Sequence, residues 1–449
     1  MRKNLFSIIL VLIFVLTGSV RLFSQDRTVI KNLRINADRL QERLDRLAEY
    51  GKSEHGGMDR VAFSQADKES RPYIISLMKE AGLEVRVDPA ANIIGRRQGE
   101  NPELPAILFG SHSDTVPQGG KYDGALGVLG AIECVQVIKE NNIKTLHPLE
   151  VVVFTDEEGG LVGSRAMTGT LTPEALDIIS HSGKTVKEGI HYLGGNINEL
   201  EKACRKKEDI KAFLELHIEQ GSRLERENID IGVVEGIVGI YWWDVVIKGF
   251  SNHAGTTPMN MRKDALLSAA HFIIAVNEVA TSVQGNQVGT VGKIKAQPGA
   301  PNVIAGQVDL SLELRDLSKE KVDSLFESIK KRASMIGQKT GTEIQFKALD
   351  ANAEPAPTHP KIRKLIAESA KELGLSCIFM PSGAGHDAQD MAKITPTGMI
   401  FVPSAGGISH SPEEYTTLQD CANGVNVLLH SVLKINLLGD GPGDLQLYQ

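Results

Sequence analysis

The strongest constraint on the fold of this chain is a set of three short apolar runs, each passing directly into polar residues. They are Ala106-Ile107-Leu108-Phe109, Leu149-Glu150-Val151-Val152-Val153-Phe154 and Phe213-Leu214-Glu215-Leu216. Runs this short and this continuous read as strands buried on both faces. Between the first two, 125–141 places Leu126, Leu129, Val137 and Ile138 as a helix against a sheet requires. Upstream, 32–50, with Leu33, Ile35, Leu40, Leu44 and Leu47 on roughly one face, and 66–81 read as packing helices. Strands alternating with helices specify an α/β sheet. Ligands of such sheets gather beyond the carboxyl ends of the strands, so the polar residues after each run are the first candidates for chemistry.

The rhythm changes over 232–350. Strands at 240–248, 288–296, 303–314 and 343–348, with helices at 263–283 and 319–340, give the order β-α-β-β-α-β of a split, ferredoxin-like unit. A helix at 360–374 and a buried strand at Met399-Ile400-Phe401-Val402 then resume the earlier pattern. The expected organisation is a leader over 1–24, a first domain split into 25–231 and 351–440, and an inserted domain over 232–350. The leader is expected because basic Met1-Arg2-Lys3-Asn4 precedes an apolar run from Leu5 to Val20, with a small-residue cleavage point near Phe23-Ser24-Gln25. That run is shorter than the ~20 residues of a spanning helix. An exported, periplasmic protein that meets the membrane only in transit is the expectation, with an uncleaved anchor as the alternative.

At 449 residues the chain is long enough for two domains. With 49 Lys+Arg against 56 Asp+Glu it has no broad basic surface, which argues against nucleic acid as a partner. The 4 cysteines, Cys134, Cys204, Cys377 and Cys421, form no Cys-x-x-Cys pair, so any metal must be held by His and carboxylates.

Those residue types follow the strands. Gly110-Ser111-His112-Ser113-Asp114 ends the first run, and Asp123 stands in a glycine-flanked turn before the next helix. In a His-x-Asp pair one residue can ligate a metal while the other approaches its free ring nitrogen; taken alone, the segment also reads as a solvated loop. Asp156-Glu157-Glu158 ends the second run. Adjacent carboxylates at a buried strand end are costly without a cation, although an exposed acidic turn has the same sequence. With a metal, one glutamate can ligate while its neighbour handles protons. His217-Ile218-Glu219-Gln220 follows the third run, and Gly385-His386-Asp387 and Ser409-His410 lie near the C-terminus. Together these histidines and carboxylates make the oxygen and nitrogen donor set of zinc or manganese. In the insert, His253 with Asn302 can donate to a developing oxyanion, and Arg315 can fork onto a carboxylate. His55, His147, His181, His191, His271, His359 and His430 read as structural. No Gly-x-Ser-x-Gly elbow or Gly-x-x-x-x-Gly-Lys-Ser/Thr loop is present, which leaves metal-assisted hydrolysis.

The segments Gly110 to Val116, Tyr122-Asp123-Gly124, Asp156-Glu157-Glu158-Gly159, Leu216-His217-Ile218-Glu219-Gln220-Gly221, His253-Ala254-Gly255-Thr256-Thr257-Pro258-Met259 and Ile408-Ser409-His410-Ser411-Pro412-Glu413-Glu414 closely resemble one family, in matching order over about 30–435. It is the amidase/hydantoinase/carbamoylase branch of the dinuclear zinc aminoacylase and carboxypeptidase superfamily, with N-carbamoyl-L-amino-acid hydrolases and allantoate amidohydrolases among its members. The resemblance implies a mixed sheet flanked by helices, with the insert as lid and dimerisation domain. It implies two divalent ions, Zn or Mn, bridged by Asp123, with His112 and His217 completing one site and Glu158 and His410 the other. Glu157 would be the general base and Asp114 would orient His112. His253, Asn302 and Arg315 would stabilise the oxyanion and grip a small carboxylate substrate, with Gln220, Gly385 and His386 lining the pocket. A homodimer is implied. His217 stands where the superfamily's peptidases generally carry an acid, which favours a carbamoyl or amidine bond over a peptide. A peptidase or N-acyl-amino-acid hydrolase, and a metal-free binding protein on the same scaffold, are the competing readings.

Overall fold

A computed structural model describes residues 31–349, 353–439 and 445; the expected leader lies outside them. The chain divides into two compact units, one of residues 31–235, 358–380 and 386–439, the other of 236–349, 353–357 and 381–385. In chain order the first unit's main elements are α1 (Ala37–Leu47), α2 (Gln65–Glu80), β1 (Glu84–Val87), β2 (Ile93–Arg97), β3 (Ala106–His112), α3 (Ala125–Glu140), β4 (Leu149–Phe154), β5 (Ile210–Ile218) and β6 (Ile231–Ile237). The second unit follows with β7 (Gly239–Lys248), α4 (Ala265–Ser282), β8 (Val288–Thr290), β9 (Ile294–Gln297), β10 (Gln307–Asp316), α5 (Lys319–Thr340) and β11 (Glu343–Ala348). The first unit resumes with α6 (Pro360–Glu372), β12 (Thr397–Val402) and α7 (Leu418–Asn436).

The first unit is built on a mixed sheet in the order β1-β2-β4-β3-β5-β12-β6, as the α/β expectation required. Its centre is parallel, β4 with β3, β3 with β5 and β5 with β12, while β2 joins β4 and β6 joins β12 antiparallel. Every residue of β3, β4, β5 and β12 is buried, which is why these strands read as continuous apolar runs. Alternate residues serve opposite faces. Ile107, Phe109, Val151, Val153, Leu214 and Leu216 enter one core with apolar residues of α1, α2, α3, α6 and α7, while Leu108, Val152 and Phe213 are buried outside it. Helix α1 begins at 37, five residues after the expected start, because the Asn36 side chain accepts the Arg39 N–H and caps it there. Parallel β3, β4, β5 and β12 all end at the same edge of the sheet, and that edge carries the polar residues singled out above.

In the second unit the sheet order is β9-β10-β7-β11, all antiparallel, with β8 also paired to β10. Burial alternates strictly along β7 and β10; Tyr241, Trp243, Val245 and Ile247 share a core with Leu310, Leu312, Phe272 of α4 and Leu325 of α5. Two expected strands are each broken. The 288–296 run divides into β8 and β9, and the 303–314 run divides at Ala305-Gly306. There Gly306 donates to Gln297 O at 3.0 Å, and a Cβ on it would lie 2.2 Å from Ser251 Oγ. Upstream of that break Val303 and Ile304 pair with His253 and Asn252 instead.

Candidate metal centre

Five segments bring donors to the carboxyl edge of the first unit's sheet. His112 is the last residue of β3 and His217 the penultimate residue of β5, both 1% exposed. Asp123 precedes α3, Glu157 and Glu158 open a short helical turn after β4, and His410 lies in the loop after β12. Backbone of left-handed conformation recurs here: φ is 55° at Asp156, 56° at Gln220, 54° at His410 and 59° at Gly124. Gly124 is required twice over, because a Cβ would also lie 2.4 Å from the His112 ring.

Asp123 is the hub. Its Oδ1 lies 3.4 Å from His112 Nε2 and 3.1 Å from His217 Nε2, while its Oδ2 lies 3.5 Å from His410 Nε2. His410 Nε2 is 3.6 Å from Glu158 Oε2, and His112 Nε2 is 3.7 Å from Glu157 Oε2. Two donor triads able to hold a cation therefore share Asp123: His112-Asp123-His217 and Asp123-Glu158-His410. His112, Glu157 and Glu158 form a third such group. The far nitrogens of two rings are oriented by backbone: His112 Nδ1 meets Asp114 O at 3.1 Å and His217 Nδ1 meets Ile218 O at 3.0 Å. The expected Asp114 carboxylate is farther from His112, at 3.8 Å. It accepts instead from the N–H groups of Glu157 and Glu158 at 3.4 and 3.3 Å, tying the β3 and β4 segments together. Gln220 Nε2 donates to Asp123 Oδ2 at 2.7 Å and meets His410 Nε2 at 3.3 Å. His386 stacks edge-on against His217, with ring centroids 4.6 Å apart.

The electrostatics follow from burying this much charge in one place. Burial alone would lower the pKa of His112, but the carboxylates of Glu157, Asp123 and Asp114 outweigh it and hold it well above its usual value. Burial would raise Asp123, yet His217 and His112 hold it well below the usual carboxylate range. Glu157 is pushed far up by burial and by the charges of Glu158, Asp387 and Asp123, against the opposing pull of His112; Glu158 is pushed to about 8 by burial and Asp123. Burial and neighbouring His217 hold His386 well below its usual value. Glu158 Oε1 is buried with no hydrogen-bond partner. Crowded carboxylates with an orphaned oxygen, interleaved with imidazoles and free of thiols, fit a pair of hard or borderline divalent ions.

Some groups around this centre escape motif reading. Glu215 sits on β5 two residues before His217; it accepts from Ser111 Oγ at 2.6 Å and from Ala388 N at 2.9 Å. Its signal in the sequence is an acid inside an apolar run. Arg60, fully buried, donates to Ser113 O at 2.7 Å and to the carbonyls of Leu47 and Tyr50 at 3.0 Å, pinning the segment between His112 and Asp114. Nothing local in the sequence marks it.

His253, Asn302, Arg315 and Gly385 belong to the second unit. His253 and Asn302 are neighbours there: Ala254 donates to Asn302 O at 3.0 Å, and His253 Nδ1 accepts from Gly255 and Thr256 at 3.0 and 3.2 Å. Arg315 forks onto Glu313 at 2.9 and 3.1 Å and donates to Gly383 O at 2.7 Å.

Residues 108–434 match the family described as Peptidase family M20/M25/M40. The chain belongs to that family. Within it, the chain is 42% identical over 406 residues to an N-carbamoyl-L-amino acid amidohydrolase of Geobacillus stearothermophilus, covering 89% of this chain and 99% of the relative. It is 35% identical over 395 residues to an allantoate amidohydrolase of Bacillus subtilis, covering 87% and 95%. The crystal structure of an amidase of the hydantoinase/carbamoylase family from Burkholderia multivorans superposes with a TM-score of 0.83 at 34% identity, over 90% of this chain and 98% of that one. The resemblance drawn from the motifs is borne out at the level of this amidase branch.

Proposed function

We propose that the protein hydrolyses a carbon–nitrogen bond other than a peptide bond in a small carboxylate, of the carbamoyl (ureido) or amidine type. N-Carbamoyl-L-amino acids and allantoate are the leading substrates. The observation that carries this reading is the Asp123 hub: one carboxylate facing two donor triads, with Glu157 beside it. The relatives of this chain supply the bond class. Two divalent ions, zinc or manganese, would be held by His112, Asp123 and His217 and by Asp123, Glu158 and His410. When bound, such ions polarise a carbonyl and make water more acidic.

The chain's own groups do the rest. Glu157, not needed as a ligand, takes the proton of the attacking water and passes it to the leaving nitrogen. Its backbone is fixed by Asp114. Water adds to the ureido carbon, the bond to nitrogen breaks, and the carbamic acid so formed falls apart into ammonia and carbon dioxide. His253 and Asn302 are assigned to the oxyanion, Arg315 to the substrate carboxylate, and Gln220, Gly385 and His386 to the pocket. His217, an imidazole where the peptidases generally carry an acid, speaks against peptide hydrolysis.

A homodimer through the second unit belongs to the same proposal, supported by an apolar stripe left open on α4: Leu266, Leu267, Ile273 and Ile274 are all exposed. So does export, supported by the basic and apolar N-terminus. The test is ammonia release from a panel of N-carbamoyl-L-amino acids, allantoate and ureidoglycolate, beside amino-acid release from dipeptides and N-acetyl-amino acids. Turnover of the ureido compounds alone is expected; no turnover of any by protein holding two metals per chain, or cleavage of the dipeptides alone, overturns the proposal.

A further inference from the structure

Glu414 lies outside every donor triad, yet it touches two of the three segments that carry the ligands of the second one, the Asp123 turn and the His410 loop. It is 5% exposed. Its Oε1 accepts from the backbone N–H of Tyr122 at 3.0 Å and of Asp123 at 3.1 Å. Its Oε2 accepts from Ser409 Oγ at 2.9 Å, immediately before His410. The Gly119-Gly120 turn presses directly onto this carboxylate: a Cβ on Gly120 would lie 2.1 Å from Glu414 Oε1. Ser409 Oγ also reaches Asp123 Oδ2, at 3.1 Å. One hydroxyl proton cannot serve both, so Glu414 is the acceptor that remains once the lone pairs of Asp123 are engaged by a cation.

The two triads are not equally supported. His112 and His217 sit on fully buried central strands, and their far nitrogens are held by backbone carbonyls. His410 is on an irregular loop with left-handed backbone, and its side chain is 48% exposed. Glu414 joins this loop to the backbone of the Asp123 turn, and Ser409 Oγ lies between the Glu414 and Asp123 carboxylates.

We propose that Glu414 is a positioning residue for the metal pair: by accepting from the Asp123 turn and from Ser409, it locks the bridging carboxylate and His410 into one arrangement. The cation bound by Glu158 and His410 depends on that lock more than the cation bound by His112 and His217. This inference rests on the metal reading above and extends it to a residue that touches neither ion.

The experiment is calorimetric titration of chelator-stripped full-length protein with zinc, with bound metal counted after dialysis and circular dichroism to check folding. Wild-type protein is expected to bind two ions. Glu414→Ala is expected to keep one and to bind the second at least about tenfold more weakly, the usual effect of losing such an outer partner. Glu414→Gln keeps an oxygen for the two N–H groups while its amide donates to Ser409, and is expected to bind both ions within about threefold of wild type. Ser409→Ala, which leaves Glu414 on the Asp123 turn but removes the hydroxyl that reaches both Glu414 and Asp123, is expected to weaken the second ion alone. Two ions bound with wild-type affinity by Glu414→Ala overturn the inference and leave the metal reading intact. If that variant does not fold, unchanged affinities in Ser409→Ala overturn it in the same way. No zinc bound by the wild type overturns both.

Discussion

Glu157 and Glu158 are adjacent in the chain and alike in chemistry, and what separates them is where each side chain goes. Glu158 Oε2 faces His410 in a triad with Asp123, and Glu157 Oε2 faces His112. Glu157→Gln is therefore expected to lower kcat by about 10²–10⁴, the range for losing a general base, with two metals still bound. Loss of metal from that variant, counted by elemental analysis, shows that the two glutamates have been assigned the wrong way round. At this scale the sequence was informative about which residue types gather, because His112, Asp123, Glu157, Glu158, His217 and His410 are marked by glycine-flanked turns and strand ends. It was uninformative about Arg60 and Glu414. Arg60 and one oxygen of Glu414 bind backbone groups well removed in the chain, and a backbone N–H or carbonyl has no residue-specific signature.

At the level of elements, the buried strands were legible because their apolar runs are continuous, and their carboxyl ends are where the donors lie. Strand boundaries inside the second unit were not, since the break at Gly306 follows from the close approach of Ser251, a tertiary contact. Helix α4 carries the clearest element-scale prediction. It buries Ala265, Ala269, Phe272, Val276 and Val279 while leaving Ile274 56% exposed on the opposite side. If this stripe is a subunit contact, Ile274→Glu buries a charge in it and converts the dimer to monomer. Sedimentation velocity is expected to show that change with the circular dichroism spectrum retained; a monomeric wild type, or a dimeric variant, removes the stripe from the interface.

For the molecule as a whole, a cation that binds the folded centre and not the unfolded chain stabilises the fold, by about 2.7 kcal/mol per site at a hundredfold excess over Kd. Dialysis against chelator is expected to lower the first thermal transition by about 5 °C or more in differential scanning calorimetry, and zinc or manganese to restore it. An unchanged transition means that no cation is held there. The sequence by itself determined the α/β class, the carbamoylase-branch motifs, the want of thiol ligands and the segments that supply donors, because these are properties of local composition and spacing. Only the tertiary structure decided that Asp123 turns one oxygen toward His112 and His217 and the other toward His410, that Asp114 serves the Glu157 turn more than the His112 ring, and that Glu414 joins two ligand loops. The physical reason is that these facts turn on distances between groups that are mostly tens or hundreds of residues apart. Such distances are set by the order of strands in the sheet and the packing beneath them, and local sequence carries no record of either.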